Sequence, residues 1–230
     1  MFNVKDRDLV IPGQMLAEKQ RCGTGTIKED GNVYAAVKGQ ARIDGQEVKI
    51  IPLEGVYIPR MGDVVIGVVE NILPGRWELN INCPYNAKMR AEEKTENPFS
   101  EDLSKFFTVG DILSIRVDQV NEVYDTNVVK PWRLEGGCII KIVPKRIPRV
   151  VGKKKSMLNM IRDKTGCKMS VGQNGLVWVR GDNMDVVIKA LKKIEREAHI
   201  RGLTDSVSKM IDEEMKNRKE VQIQNNEEEK

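Results

Sequence analysis

The sequence predicts a mainly β chain that ends in an α+β part. Between Gly23 and Val143, short β-prone runs alternate with glycine-containing turns, and after Val143 the hydrophobic period changes from two residues to nearly four. A concentrated basic run, Lys141–Lys164, lies at this change. We therefore expect a small β domain over residues 1–60, a five-stranded barrel over 61–143, an α+β domain over 144–203, and a helix with a disordered acidic tail over 204–230.

Composition limits the classes of protein to which the chain can belong. The 230 residues with 40% hydrophobic content suit two or three small domains. No run of about 18 apolar residues occurs, and the charged N-terminus lacks a signal-peptide pattern, so we expect a cytoplasmic protein without a membrane segment. Four cysteines without paired spacing and a single histidine predict neither a metal site nor a cofactor.

The predicted strands of the first domain are short and separated by tight turns. Asp30-Gly31 between β-prone runs is a strong hairpin signal, because both central residues of such a turn need positive φ. Ahead of these strands, Val10–Gly13 looks extended and is a candidate docking arm. The expected strands are Thr24–Lys28, Asn32–Lys38, Arg42–Asp44 and Glu47–Ile51.

The second domain shows strand signals at Val64–Val69, Trp77–Ile81, Val109–Val117 and Cys138–Val143, with a long polar stretch from Glu92 to Lys105. These four runs and the polar insertion suit a small five-stranded Greek-key barrel of the OB type, with the insertion between its third and fourth strands. Such barrels bind single-stranded nucleic acid.

The third domain combines helices with a hairpin. Ser156 is a candidate N-cap of a helix that stops at Gly166, and two strands follow. An apolar stripe from Val187 to Ala198 then predicts a helix that packs on a sheet. One more amphipathic helix is expected over Thr204–Arg218, with disorder from Glu220 to the end.

The basic run is the strongest functional signal. Nine Lys or Arg stand against one acid, so this window carries +8 in a chain whose formal net charge is +4. A concentrated positive patch beside a glycine suggests phosphate binding, whereas a solvated helix face is the alternative. The RNA-binding candidates here are Arg146, Arg149, Gly152, Lys153, Lys154 and Lys155.

The barrel offers few aromatic residues for base stacking. Strand alternation places Trp77 with Leu79 in the core, so Tyr85 and Trp132 are the better stacking candidates. Nearby cations would supply charge around them. These are Arg76, Lys88, Arg90, Lys130 and Arg133.

The turn formed by Gly172, Gln173, Asn174 and Gly175 is interpreted as structural, because a tight turn between strands favours glycine at positive φ and Asn174 can bond back to the chain. Catalysis has little support. His199 has no nucleophile motif beside it, and the acid pairs lie in polar segments. We therefore expect no enzyme activity.

The stretch Ile142 to Ala198 resembles the eukaryotic-type K-homology RNA-binding domain, on the segments Val150–Met157, Ile161–Gly166 and Gly172–Val179. With an OB barrel and a small β domain before it, the chain resembles the archaeal exosome cap subunits that carry both modules. That resemblance implies a non-catalytic RNA-binding subunit, with three copies on a ring of RNase PH-type subunits. The N-terminal domain would dock on the ring, and the barrels would line the entrance for RNA 3′ ends.

The chain departs from this family in one motif. In the family, a Gly-x-x-Gly turn lets the protein backbone approach the nucleic acid. In this chain the fourth residue of that turn is Lys155 instead of glycine. Either Gly152 suffices and three lysines hold RNA electrostatically, or the turn is degenerate and the domain is structural. We favour weak phosphate contact.

Two other classes of protein use the same modules. A transcription or translation factor is one, but bacterial factors of this order carry further domains that do not fit after Ala198. A phosphorolytic nuclease is the other, but its catalytic domains are absent from this sequence.

Overall fold

The computed structural model describes residues 2–99, 101–198, 200 and 202–228, with side chains as far as Arg218. The chain divides into two compact units, Met1–Gly55 and Val56–Lys230. The boundary expected after residue 60 is therefore slightly late. Val56–Arg60 belongs to the second unit, where Tyr57 is buried in the barrel core and its hydroxyl donates to Asp63 (2.7 Å).

The first unit is built from short strands in two sheets. One sheet has the order β1-β6-β7-β3 and the other the order β2-β5-β4. Valine, leucine, isoleucine and alanine side chains from both sheets form its core. The strands are β1 (Leu9–Val10), β2 (Met15–Glu18), β3 (Arg21–Cys22), β4 (Thr26–Glu29), β5 (Asn32–Ala35), β6 (Gly39–Asp44) and β7 (Glu47–Pro52).

Local turn chemistry decides the β4–β5 hairpin. Asp30 and Gly31 both have positive φ, 46° and 80°, as the sequence predicted. The expectation of an N-terminal arm is wrong, because Val10 is fully buried and pairs with Gly39 of β6. Two apolar residues in a row are a weak sequence signal for a strand, and here the pairing with the distant strand β6 decides that they form one.

The second unit begins with a closed barrel of order β10-β12-β11-β8-β9. Alternate residues of each strand point inward, and Trp77, Leu79 and Met89 are completely buried. A segment with two short 3-10 turns, Ala91–Glu93 and Leu103–Lys105, joins the third strand to the fourth. The strands are β8 (Val64–Leu73), β9 (Arg76–Asn80), β10 (Ala87–Arg90), β11 (Ile112–Val120) and β12 (Thr126–Arg133).

The barrel and its insertion are thus confirmed, but the fifth strand is not the predicted one. We expected Cys138–Val143 to close the barrel, whereas β12 does so. Lys130-Pro131 hides this strand in the sequence, because proline lacks the N–H that a regular ladder needs. The structure accommodates the Lys130-Pro131 dipeptide with a register shift between β11 and β12 and a positive φ of 55° at Lys130.

The α+β part starts at Cys138 instead of residue 144, because its first strand pairs with Leu176–Arg180. Its three-stranded sheet has the order β13-β15-β14, and helices cover one face. The elements are β13 (Cys138–Lys141), α1 (Ile147–Val151), α2 (Ser156–Thr165), β14 (Lys168–Val171), β15 (Leu176–Arg180), α3 (Met184–Glu197) and α4 (Leu203–Glu228).

The helices match their apolar patterns better than their predicted ends. The α3 stripe, including Leu191 and Ile194, is buried against the sheet. Ser156 is the first residue of α2 and makes no capping bond, so the N-cap prediction is wrong. The last helix continues from Arg218 to Glu228, where we expected a disordered tail, because this segment contains no Gly or Pro and is rich in good helix formers.

Among the described residues, no helix is long and apolar enough to span a membrane. Within the same residues, no group of three or more His, Cys, Asp or Glu side chains is placed to hold a metal ion. His199 and the last two residues of the expected tail lie outside the described part of the chain.

Candidate nucleic-acid interface

A tight turn displays the three consecutive lysines between α1 and α2. Gly152 ends α1 with φ 72° and ψ 171°, and Lys153–Lys155 form a single 3-10 turn before α2 begins. A Cβ on Gly152 would lie 2.8 Å from the amide nitrogen of Met157, so this position needs glycine for its φ and for the close approach.

Lys154 and Lys155 both adopt the left-handed conformation, with φ of 52° and 63°. That region favours glycine and costs an ordinary residue about 1–2 kcal/mol. The turn therefore keeps, at Lys155, a backbone conformation that glycine adopts without strain. The three lysine side chains are exposed, and no acidic partner for them occurs among the described residues.

This lysine turn (Gly152–Lys155) can attract phosphates through the positive charge of its three exposed ammonium groups. The first amide of α2, that of Ser156, already donates to the carbonyl of Lys153. Attraction between an ammonium group and a phosphate is indifferent to base identity. The geometry therefore suits a phosphate contact without sequence readout.

The two arginines before the turn differ in accessibility. Arg149 is exposed in α1, as expected for a phosphate ligand. Arg146 is half-buried, and its guanidinium donates to the carbonyl of Glu195 while its Nε atom has no partner. Arg146 therefore joins the 3-10 turn Pro144–Arg146 to helix α3, and its role in RNA binding stays a prediction.

Tyr85 and Lys88 lie beside the loop that joins β11 to β12. The Tyr85 ring stacks on Tyr124, with 4.8 Å between centroids and 25° between planes. Lys88 lies 2.9 Å from the carboxylate of Asp125. Both candidates are thus partly occupied by protein contacts, and Tyr124 is an aromatic that the sequence analysis missed.

Arg76 and Arg90 face each other across the β9–β10 pair, and both are exposed. Arg76 also lies 3.6 Å from the carboxylate of Glu78. Lys130 points outward from the bulge of β12, where its amide donates to Glu93 (3.0 Å).

Trp132 and Arg133, at the end of β12, lie in different environments. The indole of Trp132 is 73% exposed. Arg133 donates to the carbonyl of Phe106 and to the carboxylate of Asp111, and its guanidinium lies 5.4 Å from the Phe107 ring centroid. The barrel candidates are therefore spread over separate places, and their role in RNA binding stays a prediction. Trp77, by contrast, is fully buried as predicted, and its Nε1 donates to the Phe107 carbonyl (3.2 Å).

The turn between β14 and β15 fastens the α+β part to the barrel. Asn174 is fully buried, and its Nδ2 atom donates to the carbonyls of Ile66 and Ile81, each at 2.7 Å, while its Oδ1 accepts from the Ile66 amide (3.2 Å). Gln173 adds two bonds to Val64, one through its backbone amide and one through its side-chain oxygen. We expected Asn174 to bond back to the chain, and the backbone groups that it contacts lie in the barrel.

The two glycines of this turn are required for different reasons. Gly175 has φ 86°, and a Cβ there would lie 2.3 Å from the carbonyl oxygen of Ile142. Gly172 does not have positive φ, contrary to our expectation. A Cβ on Gly172 would instead lie 2.8 Å from the Ile66 amide and collide with the Asn174 side chain. The structural interpretation of the turn thus has two concrete causes, which are the close contact of Gly172 with strand β8 and that of Gly175 with Ile142.

A small apolar cluster completes the contact between the barrel and the α+β part. Ile66, Leu134, Leu176 and Trp178 are buried together. The indole of Trp178 donates to the carbonyl of Gly136 (2.7 Å). The sequence left Trp178 either exposed or covered by a neighbouring domain, and the structure shows that the barrel covers it.

A groove of about 680 Å³ opens beside this contact. Sequence reasoning found two of its side chains, Trp132 and Arg133, but missed the cations on the other wall. The alternation within β14 and β15 was the signal for two of them, because Lys168 and Arg180 fall opposite each other on the sheet face away from the helices, whereas the third lies on α2. The missed cations are Arg162, Lys168 and Arg180.

A closed five-stranded barrel, fastened to a βααββα domain with an exposed lysine turn, defines a class of modular nucleic-acid-binding protein. The family model of the KH domain matches residues 137–196, and that of the exosome RNA-binding protein RRP4 N-terminal domain matches residues 7–54. The chain belongs to the family of exosome complex component Rrp4.

Relatives and a solved structure support this membership along most of the chain. The Rrp4 component of Methanobrevibacter smithii is 41% identical over 92% of this chain and 73% of its own length. The Rrp4 component of Pyrococcus furiosus is 40% identical over 90% of this chain and 84% of its own length. The Rrp4 component of Methanothermus fervidus is 39% identical over 92% of this chain and 98% of its own length. A crystal structure of a candidate exosome complex RNA-binding protein is 32% identical, with a TM-score of 0.64, over 71% of this chain and 99% of its own.

Proposed function

We propose that this protein is a non-catalytic RNA-binding subunit of an exosome. It caps a ring of RNase PH-type subunits, in three copies, and guides single-stranded RNA 3′ ends into the ring for degradation. One observation carries the proposal. The similarity to Rrp4 components extends over 90% or more of this chain and includes both the N-terminal domain and the KH domain.

The surface chemistry supports RNA as the ligand. The lysine turn offers three exposed cations to phosphates, without an acidic partner among the described residues. Binding through this turn is electrostatic, so it should weaken steeply as salt increases. A subunit that feeds many transcripts into one nuclease needs this kind of indifference to sequence.

A role without catalysis is supported by the surroundings of the acidic pairs. Glu92, Glu93, Glu101, Asp102 and Glu213 are exposed to solvent, and Glu214 is half-buried in an ion pair with Lys189. A solvent-exposed carboxylate is well hydrated, and such surroundings suit neither a buried general acid nor a dry metal site. The described cysteines are all free thiols, which fits the reducing cytoplasm.

Reconstitution with RNase PH-type ring subunits tests the proposal. Native mass measurement should show three copies of this chain on each ring, and addition of the chain should increase the affinity of the ring for oligoadenylate at low salt. The chain alone, with Mg²⁺ and phosphate, should leave the RNA intact.

Two results would contradict the proposal. A chain that fails to associate with the ring and shows no affinity for RNA is not a cap subunit. Turnover of RNA that copurifies with the chain, and that disappears when its own carboxylates are substituted, would make it an enzyme.

A further inference from the structure

Trp132 is exposed to an unusual degree for a tryptophan in a barrel strand. Its indole is 73% exposed, whereas Trp77 and Trp178 are 0% and 7% exposed. Its partner across the β11–β12 pair is Ser114, which is too small to cover the ring. An exposed flat ring of this size is a surface on which nucleic-acid bases stack readily.

This indole lies on the rim of the groove between the barrel and the α+β part. One wall is the end of β12 and the residues after it, and the other wall is the edge strand β14 with its neighbour β15. The volume of about 680 Å³ lies within the range of small-ligand sites and is enough for about one or two nucleotides.

The far wall of the groove carries an excess of positive charge. Arg162, Lys168 and Arg180 line it, and no ion pair for any of them occurs among the described residues. Glu135 is the acid among the lining residues. A nearby cation, Arg133, is compensated by its contact with Asp111. The groove thus combines a free aromatic surface with cations, as sites for single-stranded nucleic acid do.

Backbone contacts hold two of these cations in place. Arg162 reaches from α2 to the edge of the sheet, where one of its nitrogens donates to the carbonyl of Met169 (2.5 Å). Arg180 donates one nitrogen to the carbonyl of Glu135 (3.0 Å). A guanidinium has five N–H donors, so each arginine keeps others for a phosphate.

The groove is distinct from the lysine turn. Lys168 and Arg180 project from the sheet face opposite the helices, since their neighbours Met169 and Val179 enter the helix-covered core. The lysine turn precedes the first residue of α2, whereas Arg162 lies near its last turn. The buried bonds of Asn174 fix the two walls relative to each other, so the groove exists before any ligand arrives.

We propose that this groove binds one or two nucleotides of single-stranded RNA, with a base stacked on Trp132 and phosphates held by Lys168, Arg162 and Arg180. The inference rests on the proposed RNA-binding function and adds a second contact region to the lysine turn. It predicts that RNA touches the barrel and the α+β part at the same time.

Tryptophan fluorescence of the full chain provides a direct test. The chain has three tryptophans, and Trp132 is the exposed one, so quenching by acrylamide reports mainly on it. Oligoadenylate at low salt should protect Trp132 from acrylamide. Trp132→Ala should weaken RNA binding about 5- to 150-fold, as expected for the loss of one stacked base, and Trp132→Phe should recover most of the affinity.

Matched control variants separate the groove from general surface effects. Phe99→Ala removes another exposed aromatic (81% exposed) and should not change RNA affinity. Lys168→Gln should reduce the log–log salt slope by about 0.7, whereas Lys192→Gln, on the exposed face of α3, should leave it unchanged. Unchanged melting temperatures show that the variants fold.

Each other outcome has a definite meaning. If the parent chain binds RNA and neither Trp132→Ala nor Lys168→Gln weakens it, the groove inference is wrong while the proposed function stands. If neither the chain nor its reconstituted complex binds RNA, both fail. If ring subunits without RNA protect Trp132 from acrylamide, the groove is a protein contact and the inference is overturned.

Discussion

Replacement of Asn174 by alanine should destabilise the second unit strongly. The substitution removes three buried hydrogen bonds and leaves the Ile66 amide and the carbonyls of Ile66 and Ile81 without this partner. An orphaned buried group costs about 1–3 kcal/mol, so we expect a total loss of about 3–6 kcal/mol. That is a large part of the roughly 5–15 kcal/mol by which a typical domain is stable.

Urea denaturation followed by tryptophan emission measures this loss. All three tryptophans lie in Val56–Lys230, so unfolding of the first unit does not contribute to the signal. Gln173→Ala is the matched control, because it removes one bond from an exposed neighbour in the same turn. Water can replace that bond, and the expected loss is below about 1 kcal/mol.

The comparison of these two variants can refute the reasoning. A loss below about 1 kcal/mol for Asn174→Ala would mean that the buried amide does not hold the domains together. Equal losses for the two variants would mean that the turn matters only for its own conformation. Either result would also remove the argument that the groove walls are fixed in advance.

Three further predictions concern the lysine turn and the barrel core. Joint replacement of Lys153, Lys154 and Lys155 by alanine should reduce the salt slope of RNA binding by about 2, and an unchanged slope would exclude the turn as a contact site. Lys155→Gly should keep or raise the melting temperature, because relief of left-handed strain (about 1–2 kcal/mol) exceeds the entropic cost of glycine (about 0.5–1 kcal/mol); a clear decrease would contradict this. Burial, and then the hydrogen bond to Asp63, raise the pKa of Tyr57 above its ordinary value of 10.0, so its contribution to stability is complete below that pH and is lost as the pH rises further. At neutral pH, Tyr57→Phe should therefore be about 1 kcal/mol less stable to unfolding than the parent. As the pH rises above about 10, the stability of the variant should fall less than that of the parent, and identical stability profiles in alkaline denaturation would count against this.

Strong local signals predicted several elements correctly. The Asp30-Gly31 turn has the two positive φ angles that its residue types favour, and the α3 stripe from Val187 to Ala198 is buried. The turn depends on two consecutive residues, and the helix depends on apolar residues that recur with the helical period. Such local patterns predict structure well, because no distant contact competes with them.

Elements that depend on distant partners were misplaced. Cys138–Lys141 looks like any barrel strand, and only its pairing with β15 shows that it belongs to the α+β part. The true fifth strand, β12, carries Lys130-Pro131, which marks a break in a regular ladder. Local propensity cannot choose between two sheets, because both would bury the same apolar residues.

The sequence by itself determined the order of the modules, the basic run at Gly152–Lys155 and the positive φ of Gly175 after Asn174. Tertiary structure alone decided that Arg146 turns inward, that Asn174 bonds to the barrel, and that Trp132 faces cations from another domain. The physical reason is the range of the interactions. Charge density and backbone conformation are properties of consecutive residues, whereas a buried hydrogen bond or a groove needs two segments that folding brings together.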